Sequence, residues 1–107
     1  MNSSINNKIF SHITLSPHFF SKNKISFMSR VCDEFYLGFI IPRSMGPATE
    51  RNLFKRRCRA SLSEFNNSRL LPLRGLVIKP RHINFSFNQI NDSILNWVSL
   101  KYSVEAS

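Results

Sequence analysis

The residues best suited to chemistry in this chain are cations gathered near its middle. Between positions 51 and 59 the sequence RNLFKRRCR carries five Lys or Arg side chains and Asn52. A guanidinium group can clamp two phosphate oxygens at once, whereas an ammonium group acts as a point charge. The amide of Asn52 can bond a phosphate oxygen or a ribose 2′-hydroxyl. These residue types at this spacing indicate binding of a phosphate-rich partner.

The charge of the whole chain supports this interpretation. Lys and Arg number 15 against 6 Asp and Glu, for a formal net charge of +9. Ten of the cations and two of the acids lie between positions 43 and 81, so +8 of the charge is central rather than in a terminal tail. An excess of positive charge of this size indicates a polyanionic partner, either a nucleic acid or an anionic membrane surface. No apolar run approaches the roughly 18 residues of a membrane span, so we expect a soluble protein. We expect the partner to be a nucleic acid and not a membrane.

Catalytic and metal-binding patterns are missing from the sequence. Cys32 and Cys58 form no CxxC pair, and His12, His18 and His82 share no ligand spacing with them. We find no paired carboxylates in a plausible site and no Ser/His/Asp set. The sequence therefore predicts two free thiols, no metal site and no catalytic residue in this chain.

The cations must be positioned by a helix over residues 48–65. At 100° per residue, one arc of about 100° is apolar and a second, adjacent arc is polar. Arg51 falls at the edge of the apolar arc and Arg57 on the opposite flank. With so few acids nearby, repulsion among these cations costs the helix a few tenths of a kcal/mol, which a phosphate-rich partner would relieve. The apolar arc comprises Phe54, Cys58, Ser61, Leu62 and Phe65; the polar arc comprises Asn52, Lys55, Arg56 and Arg59.

Hydrophobic periodicity predicts the remaining elements. Helical spacing marks residues 8–13 and 86–102, and alternation marks strands at 24–31, 35–41 and 75–79. We interpret residues 1–7 as a loose arm, 8–102 as one domain and 103–107 as a frayed end. The order α-β-β-α-β-α predicts an α+β fold, an α/β sandwich with helices on a small mixed sheet of three to four strands.

One face of the predicted sheet is a candidate for holding unstacked bases. Met28 and Tyr36 lie on strand faces opposite the main apolar rows, and Phe20 is a further candidate. Aromatic and apolar side chains on a sheet are the usual support for single-stranded RNA. Ordinary core packing is the alternative for each of these residues.

A longer motif resembles a known family. The segment LGFIIPRSMGPATERNLFKRRCRASL (37–62) is similar to the signature of the protein subunit of bacterial ribonuclease P, a strand and turn followed by RNxxKRxxR on a helix. Four positions depart from that signature: Pro42, Ser44, Thr49 and Ala60. In register with it are Gly46, Ala48, Arg51, Asn52, Lys55, Arg56 and Arg59.

The resemblance implies a function and a set of partners. The family's enzyme removes the 5′ leader from precursor tRNA; its RNA subunit performs Mg²⁺-dependent hydrolysis, and one protein assists each RNA. The resemblance also implies a left-handed βαβ crossover. Residues implied to contact the RNA subunit are Arg43, Arg51, Asn52, Lys55, Arg56, Arg59 and Lys79, and those implied to line a leader cleft are Phe10, Phe20, Met28 and Tyr36.

Other interpretations remain open from the residues alone. A structural RNA-binding protein of ribosomal type fits the charge, as does a DNA-binding module whose basic helix enters a major groove. The family implies a location in the bacterial cytoplasm. The first 32 residues contain no acid, which is also typical of an organellar transit peptide.

Overall fold

We analysed a computed structural model of the chain, which describes residues 7–15, 18–32, 35–67 and 74–106. Helices α1, α2 and α3 are accompanied by four strands, β1 to β4, and by one turn of 3₁₀ helix at Arg43–Met45. None of the described helices is both long and apolar enough to cross a membrane. The bounds are α1 Asn7–Leu15, β1 His18–Lys22, β2 Ile25–Val31, β3 Tyr36–Phe39, α2 Ala48–Asn67, β4 Arg74–Pro80 and α3 Phe87–Ala106.

The four strands form one mixed sheet in the order β1-β2-β4-β3. The β1–β2 and β2–β4 pairs are antiparallel, whereas β3 and β4 are parallel and are connected through α2. The predicted α+β class with a small mixed sheet is confirmed. The βαβ connection is also present; its left-handedness stays an expectation from the resemblance.

The predicted element order lacked β1. This strand pairs with β2 across a two-residue turn in which Asn23 and Lys24 have φ of 56° and 66°. Asn adopts the left-handed region more readily than most residues, so Asn23 suits the positive φ that this turn requires. Phe19 and Phe20 are adjacent in sequence, which hides the alternation by which a strand is normally predicted.

Some predicted boundaries differ from the structure. Helix α3 continues to Ala106 instead of ending at residue 102, because neither Gly nor Pro interrupts it. Helix α1 begins at Asn7, while residues 1–6 of the predicted arm lie outside the described residues. Strand β3 ends at Phe39, earlier than predicted, although the Ile40 N–H still donates to the Ile78 carbonyl at 3.0 Å.

The main core lies between the sheet and helices α2 and α3. Phe27, Leu76 and Ile78 are fully buried on this face of the sheet, and Phe54 and Trp97 meet them from the two helices. The rings of Phe27 and Trp97 stack with centroids 6.1 Å apart. Burial of side chains of this size contributes about 1.5–3 kcal/mol each.

Helix α1 covers the opposite face of the sheet, which we call the α1 side. Ile13 is fully buried there, and a Cβ placed on Gly75 would lie 2.6 Å from its Cγ1. The Arg30 guanidinium also donates to the His12 carbonyl at 3.0 Å. The bare backbone of Gly75 therefore sets how closely α1 approaches the sheet.

Candidate nucleic-acid interface

Burial of its apolar side determines how helix α2 is rotated. Phe54, Cys58, Ser61 and Leu62 are all buried against the core, as the helical pattern predicts. Phe65, which the pattern places on the same arc, has a side chain outside the described residues. With this face fixed inward, the adjacent polar arc must point outward.

The polar arc forms what we call the basic helix surface: Asn52, Lys55, Arg56 and Arg59. Lys55 is half-buried and the other three are exposed. Asn52, Arg56 and Arg59 line one concavity together with Thr49 and Leu53. The structure thus brings all four predicted polar-arc residues onto one side of α2.

Phe39 is a member of this site that the sequence did not reveal. It is half-buried at the end of β3, where its ring packs edge-on against Phe54 at 6.4 Å. The Nζ of Lys55 lies 6.0 Å and the Cζ of Arg59 lies 5.5 Å from its centroid. Both distances permit cation–π attraction, which orients the two cations beside the sheet edge.

Two other arginines of α2 bond to the protein itself. The Nε of Arg51 donates to the Gly46 carbonyl at 3.0 Å, which ties the first turn of α2 to the loop before it. A guanidinium nitrogen of Arg57 donates to the Phe85 carbonyl at 2.7 Å, joining α2 to the segment before α3. Arg51 is only half-buried and can still present its remaining donors to an RNA, whereas Arg57 lies on the other flank.

The thiol of Cys58 is embedded in the core side of α2. Burial raises its pKa to about 12, although the Arg59 guanidinium opposes the shift. A raised pKa means that the folded state keeps the neutral thiol while the unfolded chain ionises near pH 9. This contribution to stability is complete below about pH 9 and is lost as the pH rises toward about 12.

We therefore expect Cys58 to resist alkylation in the native protein. At about pH 8 iodoacetamide should modify it only after denaturant is added, since the thiolate is the reactive form and the side chain is buried. Peptide mass spectrometry at Cys58 with and without denaturant measures this. Rapid native modification of Cys58 would contradict the inward rotation of α2.

The predicted leader-cleft residues divide between the two faces of the sheet. Met28 and Tyr36 are half-buried on the α1 side, and Phe10 is half-buried on α1 itself. Phe20 does not join them, because it pairs with Phe27 and its ring packs against Phe27 on the core face at 6.0 Å. A strand reverses its side-chain direction at every residue, so one position decides the face.

Phe19 takes the place expected for Phe20. It pairs with Met28 on the α1 side, and 65% of its surface is exposed. An exposed Phe beside a half-buried Met gives this side an apolar platform. The sequence could have indicated Phe19 only if the register of β1 with β2 had been known.

The remaining predicted cations lie at one end of the sheet. Arg43 is exposed on the 3₁₀ turn between β3 and α2. Lys79 is exposed near the end of β4 and pairs with Ser26, which places it on the α1 side. Lys79 is therefore on the opposite face of the sheet from the basic helix surface. Among the described residues no three His, Cys, Asp or Glu side chains cluster as a metal site would.

Comparison with known families identifies the chain's relatives. A family model described as Ribonuclease P matches residues 5–100, nearly the whole chain. The chain belongs to the ribonuclease P protein family. The predicted resemblance is thereby confirmed, and the ribosomal-type alternative is not favoured. Membership makes this chain the protein subunit of a ribonuclease P ribonucleoprotein, an RNA-binding tRNA-processing enzyme that includes a ribonuclease P RNA.

Solved structures of ribonuclease P proteins share the fold. A Staphylococcus aureus ribonuclease P protein mutant with defective mRNA degradation activity aligns with a TM-score of 0.79 at 18% identity, covering 92% of this chain and 86% of that one. The Thermotoga maritima ribonuclease P protein aligns with a TM-score of 0.75 at 21% identity, covering 94% and 97%. A search of curated proteins found no match. At these identities the structural likeness supports the fold alone.

Proposed function

We propose that this subunit binds the ribonuclease P RNA through the basic helix surface and holds the single-stranded 5′ leader of precursor tRNA on the α1 side. The observation that carries the proposal is the separation of α2 into a buried apolar side and an exposed cationic side next to Phe39. Exposed cations clustered on one surface bind RNA backbone without reading its sequence.

The α1 side suits a flexible single strand. Exposed Phe19 and half-buried Met28 offer stacking and apolar contacts, and Lys79 supplies a cation on the same face. Stacking on such residues tolerates every base, which fits leaders of differing sequence. Phe10 on α1 and Tyr36 on β3 remain candidates for the walls of this cleft.

Catalysis is assigned to the RNA subunit and its Mg²⁺. In this proposal the RNA subunit would hold the Mg²⁺, which would supply the chemistry for hydrolysis of the phosphodiester bond before the mature 5′ end. The protein's cations would screen repulsion between RNA strands and so lower the Mg²⁺ concentration that assembly needs. One protein would bind each RNA, in the cytoplasm of a bacterium.

Reconstitution tests the proposal directly. Adding the protein to a bacterial ribonuclease P RNA and a precursor tRNA at low Mg²⁺ is expected to increase the rate of leader removal at least tenfold. The reason is that the protein's cations neutralise RNA phosphates that Mg²⁺ would otherwise neutralise. Cleavage is followed by gel electrophoresis of 5′-labelled substrate. An unrelated protein of equal net charge is the control, and no stimulation beyond that control would refute the proposal.

A further inference from the structure

A second cleft opens apart from the basic helix surface and shares no lining residue with the concavity there. It has a volume of about 500 Å³, within the range of roughly 300–1,000 Å³ usual for small-ligand sites. The β1–β2 turn, the segment after β4 and the start of α3 form its walls. Residues that line it include Asn23, Lys24, His82, Phe85, Asn88 and Asp92.

An aromatic platform forms part of this cleft. The rings of His82 and Phe85 stack with centroids 4.2 Å apart and an interplanar angle of 13°. The backbone N–H of Asn84 donates to Nδ1 of His82 at 3.2 Å, which holds the imidazole in place. Phe85 is 5% exposed while His82 is half-buried, so His82 is the ring that a ligand would meet.

Polar groups beside the platform can bond the edge of a base. The Asn23 side-chain amide donates to Oδ2 of Asp92 at 3.0 Å and to Oγ of Ser93 at 3.2 Å, which fixes the carboxylate in the cleft wall. Asn88 is exposed and presents both a donor and an acceptor. A fixed carboxylate accepts hydrogen bonds from base N–H groups but repels a bare phosphate.

One cation lies in the wall of the cleft, and two more are near it along the chain. Lys24 lies in its wall, and Lys22 and Arg81 are exposed close to it along the chain. The Arg81 N–H donates to the Lys24 carbonyl at 2.9 Å, which ties the turn to the segment after β4. This arrangement places one phosphate-binding group in the wall of the recess and two more near it along the chain.

We infer that this cleft binds one unstacked nucleotide of an RNA, with its base against His82 and its phosphate near Lys24. The inference rests on the RNA-binding role proposed above, because that role identifies the ligand as RNA. It adds a contact distinct from the basic helix surface, because the two concavities share no lining residue. The subunit would thus hold RNA at two separate places.

Two asparagines that are close in sequence provide a test variant, at Asn88, and its matched control, at Asn84. Asn88→Ala and His82→Ala are expected to weaken RNA binding roughly tenfold each, because stacking and base-edge bonds are lost. Asn84→Ala is the control, since its exposed side chain lies outside the cleft lining. Lys24→Asn should in addition lower the salt slope by about one phosphate contact; Asn suits the positive φ at this position.

Two binding measurements distinguish the sources of the nucleotide. A loss of affinity for ribonuclease P RNA alone assigns it to that RNA, and a loss only for precursor tRNA at saturating ribonucleoprotein assigns it to the substrate. Unchanged affinity in both measurements for both His82→Ala and Asn88→Ala would overturn the inference. A variant with Lys55→Ala, in the same assays, reports separately on the basic helix surface.

The unmodified protein provides a test that does not depend on variants folding. At 12.4 kDa the chain is suited to NMR. A short single-stranded RNA should shift the His82 ring and Asn88 side-chain amide resonances, whereas tripolyphosphate, which has no base, should not. Equal shifts with tripolyphosphate, or none with RNA, would show that the cleft does not bind a nucleotide.

Discussion

Replacing Arg56 and Arg59 together with Ala is expected to weaken binding of ribonuclease P RNA roughly 30-fold. Both side chains are exposed on the basic helix surface, and each lost charge-assisted contact costs about 1 kcal/mol after screening at an exposed site. The slope of log affinity against log salt should fall by about one and a half, because two phosphate contacts are lost. Filter binding over a range of KCl concentrations measures both quantities.

Arg57 supplies the matched control on the same helix. Arg57→Ala removes the same charge, but its side chain donates to the Phe85 carbonyl on the other flank. Losing that bond from a charged donor costs about 1.5–3 kcal/mol of stability, so the melting temperature should fall on the order of 10 °C while the salt slope is unchanged. If Arg57→Ala lowered the slope as much as the double variant, binding would follow total charge rather than the geometry of α2.

Replacing Gly75 with Ala is expected to disturb the α1 side and with it leader binding. The new Cβ would lie 2.6 Å from Cγ1 of Ile13 and 3.0 Å from Sγ of Cys32. Ile13 is fully buried, so the clash must be relieved by a rotamer change at Ile13 or by a shift of α1, at a cost of about 1–3 kcal/mol. Affinity for precursor tRNA should fall several-fold relative to mature tRNA, which carries no leader.

A second substitution separates displacement of α1 from general instability. Ile13→Val removes Cδ1, the atom nearest the added Cβ, and alone costs about 0.5–1.5 kcal/mol. In the double variant we expect the preference for precursor over mature tRNA to recover in part, as measured by competition binding. Ile13→Val failing to restore any preference, with both variants folded, would argue against a leader cleft on the α1 side.

Much of helix α2 could be predicted from local sequence. The helix of α2 and the burial of Phe54, Cys58 and Leu62 were predictable because an α-helix repeats every 3.6 residues and its apolar arc must leave water. The outward direction of Arg56 and Arg59 followed from the same rotation. The roles of these residues stay predictions from the family resemblance.

Positions that depend on pairing between strands were not predictable. Phe20 rather than Phe19 was assigned to the α1 side, because β1 was not recognised and its register with β2 was unknown. Phe39 meets Lys55 and Arg59 only because α2 returns past the edge strand β3. The cleft at His82 likewise joins two stretches that are far apart in sequence, residues 23–24 and 82–92.

The sequence by itself determined that this protein is a basic α+β domain with one amphipathic cationic helix and a ribonuclease P signature. These features depend on composition and on short-range periodicity, which act within a few residues. Only the tertiary structure decided which aromatic residues share a face of the sheet and which cations lie beside Phe39 at the edge strand β3. It also decided where the recess beside His82 lies. A one-residue change in strand register exchanges the two faces of a sheet, and no local pattern specifies that register when both neighbouring residues are Phe.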